Sequence, residues 1–245
     1  QWRWRQFRWR RRLGGMVMKF TTDDHARIAR AIAAAESRTS GEIFCVLAGQ
    51  VSSYRDISLG WAAASALILP LALVPLGFDA TWLPGFGNGW EVAHLAAREV
   101  TVGRTLSAYA VVQAAVFLAV FMVTSVPVVR RLVTPAAVRR ARVRRVALSQ
   151  FLAHGLQMTE GRTGVLIFAA MSDHQVEVIA DRGIHSRVDP DVWAGAVEVL
   201  VRGLRSNRPV EGFEQAIGLC GQVLAEQFPP GAQNHNEIAD RLVVI

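Results

Sequence analysis

The side chain with the clearest chemical position in this sequence is that of Asp181. Two strand-like runs, residues 163–170 and 176–180, are joined by a short polar connection, which predicts a β-hairpin. Asp181 follows the second run directly and precedes Gly183. A carboxylate at the end of a strand points out of the sheet edge, where ligands of open α/β sheets bind. A structural role, hydrogen bonding to the turn at Gly183, is the competing interpretation.

Three histidines lie near this hairpin or near the acidic tail of the chain. His174 and His185 lie at the ends of the hairpin, and His235 precedes Asn236 and Glu237. An imidazole that titrates near neutral pH can act as a general acid or accept a phosphoryl group. Solvated loop histidines are commoner, so we expect no catalytic role for these three.

No familiar catalytic motif accompanies these residues. The sequence contains no glycine-rich phosphate loop after a strand, no GxSxG nucleophile elbow and no paired-cysteine metal motif. Its two cysteines, Cys45 and Cys220, lie in a strand-like run and on an apolar helical stripe. This placement predicts buried free thiols in a reducing compartment. A specific reaction therefore does not follow from the sequence, and whether the protein is an enzyme stays open.

The positive charge of the chain is confined to two short segments. The net charge is +7, but residues 1–15 contribute +6 and residues 130–145 contribute +7, so the remainder sums to −6. A protein that follows a phosphate backbone needs basic residues spread over a folded face. We therefore expect no nucleic-acid partner.

The N-terminal segment, residues 1–15, contains six arginines and three tryptophans. It fits a membrane-surface segment, a nucleic-acid-binding tail, or sequence upstream of the true start. We favour the third interpretation, because Met16 or Met18 stands immediately before the first predicted helix.

Two long uncharged runs interrupt the mixture of charged and apolar residues that is typical of a soluble domain. Residues 57–78 and 105–129 contain no charged side chain. Each is long enough to cross a hydrocarbon core, which takes about 20 helical residues. The pair predicts a transmembrane hairpin embedded in the lipid bilayer, with residues 79–104 as its connecting loop. A buried hairpin of a larger soluble core is the alternative.

The flanks of these runs predict the orientation of the protein. Seven arginines follow the second run within residues 130–145, whereas the loop 79–104 has two arginines and three acidic residues. Arginine-rich flanks stay in the cytoplasm. We therefore expect a two-span protein of the cell inner membrane, with both termini cytoplasmic and the loop outside.

The soluble elements on either side of the hairpin are predicted to form one domain. A helix and a strand at residues 42–47 precede the spans, and a helix, the β-hairpin and two more helices follow them. Neither set buries enough surface alone. We predict one layered α/β domain made of residues 16–56 and 146–245, with the membrane hairpin 57–129 and the basic segment 130–145 inserted.

Several segments resemble the TPM domain family, which occurs in thylakoid-lumen photosystem II repair proteins and in many bacterial membrane proteins. The segments that carry the resemblance are residues 36–43, 161–168, 176–184, 228–229 and 236–240. The resemblance implies an α/β/α sandwich around a short mixed sheet, of the bacterial membrane subgroup whose domain is split by a membrane hairpin. For some members of the family, acid phosphatase activity and calcium binding have been proposed.

The resemblance also implies a site made of four carboxylates, with Glu36 nearby. The predicted ligands are Glu42, Asp181, Glu237 and Asp240. Clusters of carboxylate oxygens suit calcium or magnesium, and a metal held in this way can bind a phosphate substrate. Each residue also has a structural use, such as flanking a strand or capping a turn.

Two functions follow from these observations. The first is a membrane-anchored binding or scaffold protein whose cytoplasmic domain contacts another membrane protein. The second is a membrane-tethered, divalent-metal-dependent phosphatase that uses the carboxylates. The sequence contains no motif that fixes the spacing of a nucleophile, a base or metal ligands. We therefore expect the binding or scaffold function.

Overall fold

The computed structural model describes residues 20–73, 97–230 and 235–245, the side chains of residues 97–105 and of Pro190 excepted. The basic segment 1–15 and most of the predicted loop 79–104 lie outside the described residues. The chain divides into two compact units. Among the described residues, the first comprises 20–52, 137–230 and 235–245, and the second comprises 53–73 and 97–136.

The first unit contains a four-stranded mixed sheet with strand order β3-β2-β1-β4. Its strands are β1 (Glu42–Ala48), β2 (Gly164–Ala170), β3 (Gln175–Ala180) and β4 (Leu242–Val244). β1 is parallel to β2, with Glu42 opposite Gly164, and parallel to β4, with Cys45 opposite Leu242. β2 and β3 form the antiparallel hairpin expected from the sequence. Segments separated by more than a hundred residues therefore share one sheet.

Helices cover both faces of this sheet because successive strand residues point to opposite sides. One face packs against α1 (Thr22–Glu36), α7 (Ala194–Arg205) and α8 (Pro209–Gln227). The other face packs against α5 (Ala136–Ala153). The side chains of β1 and β2 are buried throughout, as the apolar run of β2 and that of β1 after Glu42 predict. The expected α/β fold with a mixed sheet is confirmed.

Short elements complete the first unit. They are the four-residue helix α6 (Arg182–His185) and two 3-10 helices, Leu156–Met158 and Pro190–Trp193. α1 begins with a capping box, in which the Asp24 backbone N–H donates to Thr21 Oγ1 at 3.2 Å and the Thr21 N–H donates to Asp24 Oδ2 at 2.9 Å. This cap sets the start of the helix whose last residue is Glu36.

The second unit consists of α2 (Arg55–Leu73), α3 (Ala97–Ser125) and α4 (Pro127–Val133). α2 packs against α3 through Ser58, whose hydroxyl donates to the Thr124 carbonyl oxygen at 3.1 Å. The Trp61 indole N–H donates to the Val133 carbonyl oxygen at 3.2 Å. Ala62 is buried in the same unit. Small and polar groups therefore contribute to its contacts between helices.

One described helix is long and apolar enough to cross a membrane, at Leu106–Ser125 within α3. It lies in the second of the two predicted spans. The first predicted span, residues 57–78, continues beyond Leu73 into residues outside the described part of the chain. One candidate span is therefore established, and the two-span hairpin is not.

Candidate functional site

Glu42 is the first residue of β1, and it is 4% exposed. Its Oε1 accepts a hydrogen bond from the Glu237 backbone N–H at 3.3 Å. Its Oε2 accepts one from the Ile238 backbone N–H at 3.2 Å. Burial raises the pKa of Glu42, and the two backbone N–H groups act in the opposite direction. Glu42 therefore holds the segment that leads into β4 against the start of β1.

Glu36 ends α1 and is 7% exposed, although it is a carboxylic acid. Its Oε1 accepts a hydrogen bond from the Ile43 backbone N–H at 2.7 Å, and its side chain is hydrogen-bonded to that of Asp240. Burial is the main cause that raises the pKa of Glu36 to about 9; the charges of Glu42 and Asp240 act in the same direction, and the Ile43 N–H opposes them. At neutral pH Glu36 is therefore protonated and donates to Asp240.

Asp240 has a second partner within the tail. The Asn236 side-chain amide donates to Asp240 Oδ1 at 2.6 Å, and Asn236 Oδ1 accepts a hydrogen bond from the Ile238 backbone N–H at 3.2 Å. An asparagine that bonds the backbone two residues ahead forms an Asx turn. The tail before β4 is therefore held in shape by its own side chains as well as by Glu42.

Glu237 joins this region through its backbone rather than its carboxylate. Its N–H donates to Glu42, whereas both of its carboxylate oxygens accept from the Glu160 backbone N–H, at 3.2 and 3.1 Å. The side chain is exposed. Glu237 thus connects the tail to the turn that precedes β2.

Asp181 lies at the same end of the sheet but apart from the other carboxylates. Its backbone N–H donates to the Gly164 carbonyl oxygen at 2.9 Å, and Gly164 separates it from Glu42 in the sheet. Its Oδ1 caps α6 by accepting from the Arg182 N–H at 2.6 Å. Asp181 is 8% exposed, and within the described residues its Oδ2 has no hydrogen-bond partner. The predicted turn-capping role is observed.

The four predicted ligands do not converge on one point. The structure brings together Glu36, Glu42, Asp240 and the backbone of Glu237, and it leaves Asp181 on the far side of Gly164. In the ranges 20–73, 97–230 and 235–245, no group of three or more His, Cys, Asp or Glu side chains is arranged to hold a metal ion. Glu42 uses both oxygens on backbone N–H groups. Calcium or magnesium binding stays a prediction.

The histidines occupy turns and helix ends. His174 has a φ of 56° in the turn between β2 and β3, His185 ends α6, and His235 is exposed in the tail. A fourth histidine, His154, lies with its ring centroid 4.3 Å from that of Phe44, and burial lowers its pKa. Nothing in the sequence around His154 indicates that a ring from β1 covers it.

Glu177 is a partly buried acid that the sequence did not indicate as a site residue. It lies in β3 on the side that faces α5, where Arg144 Nη1 is 3.7 Å from its Oε2. Burial raises the pKa of Glu177, and Arg144 and Arg140 act in the opposite direction. The alternation of residue types along β3 does indicate that Glu177 lies on a different face of the sheet from Val176 and Val178.

Comparison with known proteins supports the fold. No family model and no curated protein matches the chain. Among solved structures, the chain is similar to the NMR structure of BA42 protein from the psychrophilic bacteria Bizionia argentinensis sp. nov.. The identity is 16% and the TM-score 0.53, and the match covers 95% of this chain and 100% of that chain. At this identity the likeness concerns the α/β fold alone, and function has to be argued from the residues.

Proposed function

We propose that this chain is an integral membrane protein whose α/β unit binds a partner at the cytoplasmic face of the membrane. The observation that carries the proposal is the exposed apolar surface of α3. Leu118, Met122 and Val123 are 55%, 64% and 57% exposed. A helix whose exposed residues are apolar is unfavourable in water and favourable in a hydrocarbon core.

The same argument extends to α2 as a second span. Leu67 and Leu71 are 63% and 65% exposed, and the residues of α2 that are buried include Ala62 and Ala66. Helices in lipid associate through small residues and interhelical polar contacts, such as the Ser58 hydroxyl on the Thr124 carbonyl. These features support a two-span hairpin over residues 57–129.

The arginines that follow α3 supply the orientation in this proposal. Arg130 and Arg131 lie in α4, and five further arginines lie in α5. Positive flanking charge keeps a segment on the cytoplasmic side. Both termini and the α/β unit are then cytoplasmic, at the inner membrane.

A binding role suits the carboxylates better than a catalytic one. Glu42 is committed to two backbone N–H groups, and Glu36 is protonated and bonded to Asp240. Groups used in this way stabilise the unit rather than act on a substrate. The resemblance to TPM domains belongs to this proposal, with a split α/β/α sandwich presented at the membrane and a membrane protein as its partner.

The insertion of α3 is tested by a charge at its centre. Leu118→Arg is expected to disfavour membrane insertion of this helix by about 3 kcal/mol, because arginine at the middle of a span costs that much and leucine favours insertion. The measurement is the fraction of chain that resists extraction of membranes with alkaline carbonate. The matched control is Leu219→Arg on the surface of α8, where Leu219 is 36% exposed. Release of the unaltered protein by carbonate would contradict the proposal.

The orientation is tested with thiols that react only when exposed to a membrane-impermeant maleimide. Cys45 and Cys220 are buried, so the natural sequence gives little background. Asn88→Cys in the predicted external loop is expected to react in intact cells. Met158→Cys, at a position 78% exposed, is expected to react only after the cells are opened. The reverse pattern would overturn the orientation.

One observation favours the alternative, a metal-dependent phosphatase. The Oδ2 atom of Asp181 is buried and, in the described part of the chain, unpartnered, and an unpaired carboxylate oxygen is a natural cation ligand. Hydrolysis of an aryl phosphate that requires calcium or magnesium and disappears in Asp181→Asn would establish the enzyme. If the natural protein and Asp181→Asn are both inactive with and without metal, the phosphatase is rejected and the binding role is retained.

A further inference from the structure

The outward side of α5 carries arginine and leucine side chains that no part of the first unit covers. α5 buries Val143, Ala147 and Phe151 against the sheet. On the opposite side, Leu148 and Leu152 are 40% and 58% exposed. Residues four and seven positions apart share one face of a helix. The exposed residues Ala141, Arg145, Leu148 and Leu152 therefore form one continuous stripe, called here the outer stripe of α5.

The charge of α5 is strongly positive and only partly balanced. The helix contains arginines and no acidic residue; the arginines are Arg139, Arg140, Arg142, Arg144 and Arg145. Arg144 forms the ion pair with Glu177, and Arg142 Nη1 donates to Ser52 Oγ at 2.7 Å. In the described residues, no carboxylate lies within ion-pairing distance of Arg145. The outer stripe thus combines an unneutralised guanidinium with two exposed leucines.

We propose that the outer stripe of α5 lies on anionic lipid headgroups, so that the α/β unit rests on the membrane surface. The inference rests on the proposed membrane insertion and adds a specific lipid contact to it. Arg145 would pair with headgroup phosphates, and Leu148 and Leu152 would enter the interface. Amphipathic helices that bind membrane surfaces combine these two residue classes in the same way.

Chain connectivity places such a surface within reach of α5. The helix begins at Ala136, and only Val126, α4, Thr134 and Pro135 separate it from Ser125 at the end of the candidate span. Because the inner leaflet carries anionic lipids, a positive helix that starts so close to a span meets them at high effective concentration. This charge complementarity favours lipid over a protein partner as the occupant of the stripe.

The test places an environment-sensitive thiol probe on the outer stripe of the full chain. Leu148→Cys is labelled in nanodiscs of phosphatidylcholine alone, and in nanodiscs of phosphatidylcholine and phosphatidylglycerol in equal parts. A several-fold rise in emission, with quenching by spin-labelled lipid, is expected only in the anionic discs. Leu219→Cys on α8 is the matched control, and its emission is expected to be the same in both discs. Adding Arg145→Glu to Leu148→Cys is expected to remove the rise.

The outcomes separate this inference from the proposed function. A probe at Leu118→Cys reports insertion of α3, and spin-labelled lipid is expected to quench it in both kinds of disc. If the probe at residue 118 is quenched but the probe at residue 148 gives a water-like signal, the lipid contact of α5 is rejected. The membrane insertion of α3 is then retained. A signal at residue 148 that changes only when an acidic protein is added also overturns it. Loss of quenching at residue 118 would reject the membrane insertion itself.

Discussion

Replacing Glu36 by Gln is expected to stabilise the α/β unit at pH 8 and to change its stability much less at pH 6. The pKa of Glu36 rises from its ordinary value of 4.5 to about 9 in the folded protein. Between these values the folded state keeps the proton and the unfolded state releases it. The unfolding free energy therefore falls as pH rises, by about 1.4 kcal/mol per unit for a single group.

Gln is neutral at every pH and removes this dependence. Its carbonyl oxygen can accept the Ile43 N–H, and its NH2 group can donate to Asp240, as the protonated Glu36 does. The substitution Glu36→Gln should raise the free energy of unfolding by about 3 kcal/mol more at pH 8 than at pH 6. This difference corresponds to several degrees in the midpoint of thermal unfolding.

The measurement is thermal unfolding of the detergent-solubilised full chain, followed by the reactivity of Cys45 and Cys220. Both thiols are buried in the core of the α/β unit, and the chain has no others, so they report on this unit alone. Glu226→Gln, at an exposed position, is the matched control and should leave the midpoint unchanged. An equal gain at pH 6 and pH 8 would show that Glu36 is ionised in the folded protein.

Replacing Glu42 by Ala is expected to detach the tail that precedes β4. The change removes the carboxyl acceptor of the Glu237 backbone N–H, and the Ile238 N–H keeps only Asn236 Oδ1. Each lost hydrogen bond lowers the free energy of unfolding by about 0.5–1.5 kcal/mol. β4 has three residues and pairs only with β1 in the described sheet. Loss of the tether should therefore release the strand as well as lower the stability of the unit.

Hydrogen exchange of peptides from residues 235–245 measures this release directly. We expect a graded series in which Glu42→Ala exchanges fastest, Glu42→Gln is intermediate because it keeps one accepting oxygen, and Glu237→Ala is closest to the natural protein. The Glu237 carboxylate is exposed and accepts only from the Glu160 N–H, so its loss should cost less than about 1 kcal/mol. An effect of Glu237→Ala as large as that of Glu42→Ala would contradict the assignment of Glu42 as the tether.

Both predictions concern a cluster that sequence analysis described only in part. Glu42 was identified as a carboxylate flanking a strand, and Glu36 was named only as a neighbour. Burial raises the pKa of both residues in the folded protein, but Glu42 accepts from two backbone N–H groups, whereas Glu36 accepts from one and is bonded to Asp240. Burial and neighbouring charge set the pKa of a carboxyl group, and a linear sequence contains neither.

The sequence by itself determined the local elements of this protein. The two runs of the β2–β3 hairpin and the apolar stripes of α7 and α8 can be identified within a short window of sequence. The reason is that helical and strand periods record directly which side of an element is buried. The apolar run within α3 is equally local, since its length and composition suffice to make it a candidate span.

Only the tertiary structure decided which distant segments pair and which acids meet. The parallel pairing of β1 with β2 and with β4 joins segments far apart in the chain, and the strand character of residues 242–244 became evident only through its partner. Backbone N–H and C=O groups are the same in nearly all residue types, so the sequence of a strand does not specify its neighbours. These depend on how the layers of the domain pack. The separation of Asp181 from Glu42 by Gly164 follows from that register, as does the burial that keeps Glu36 protonated.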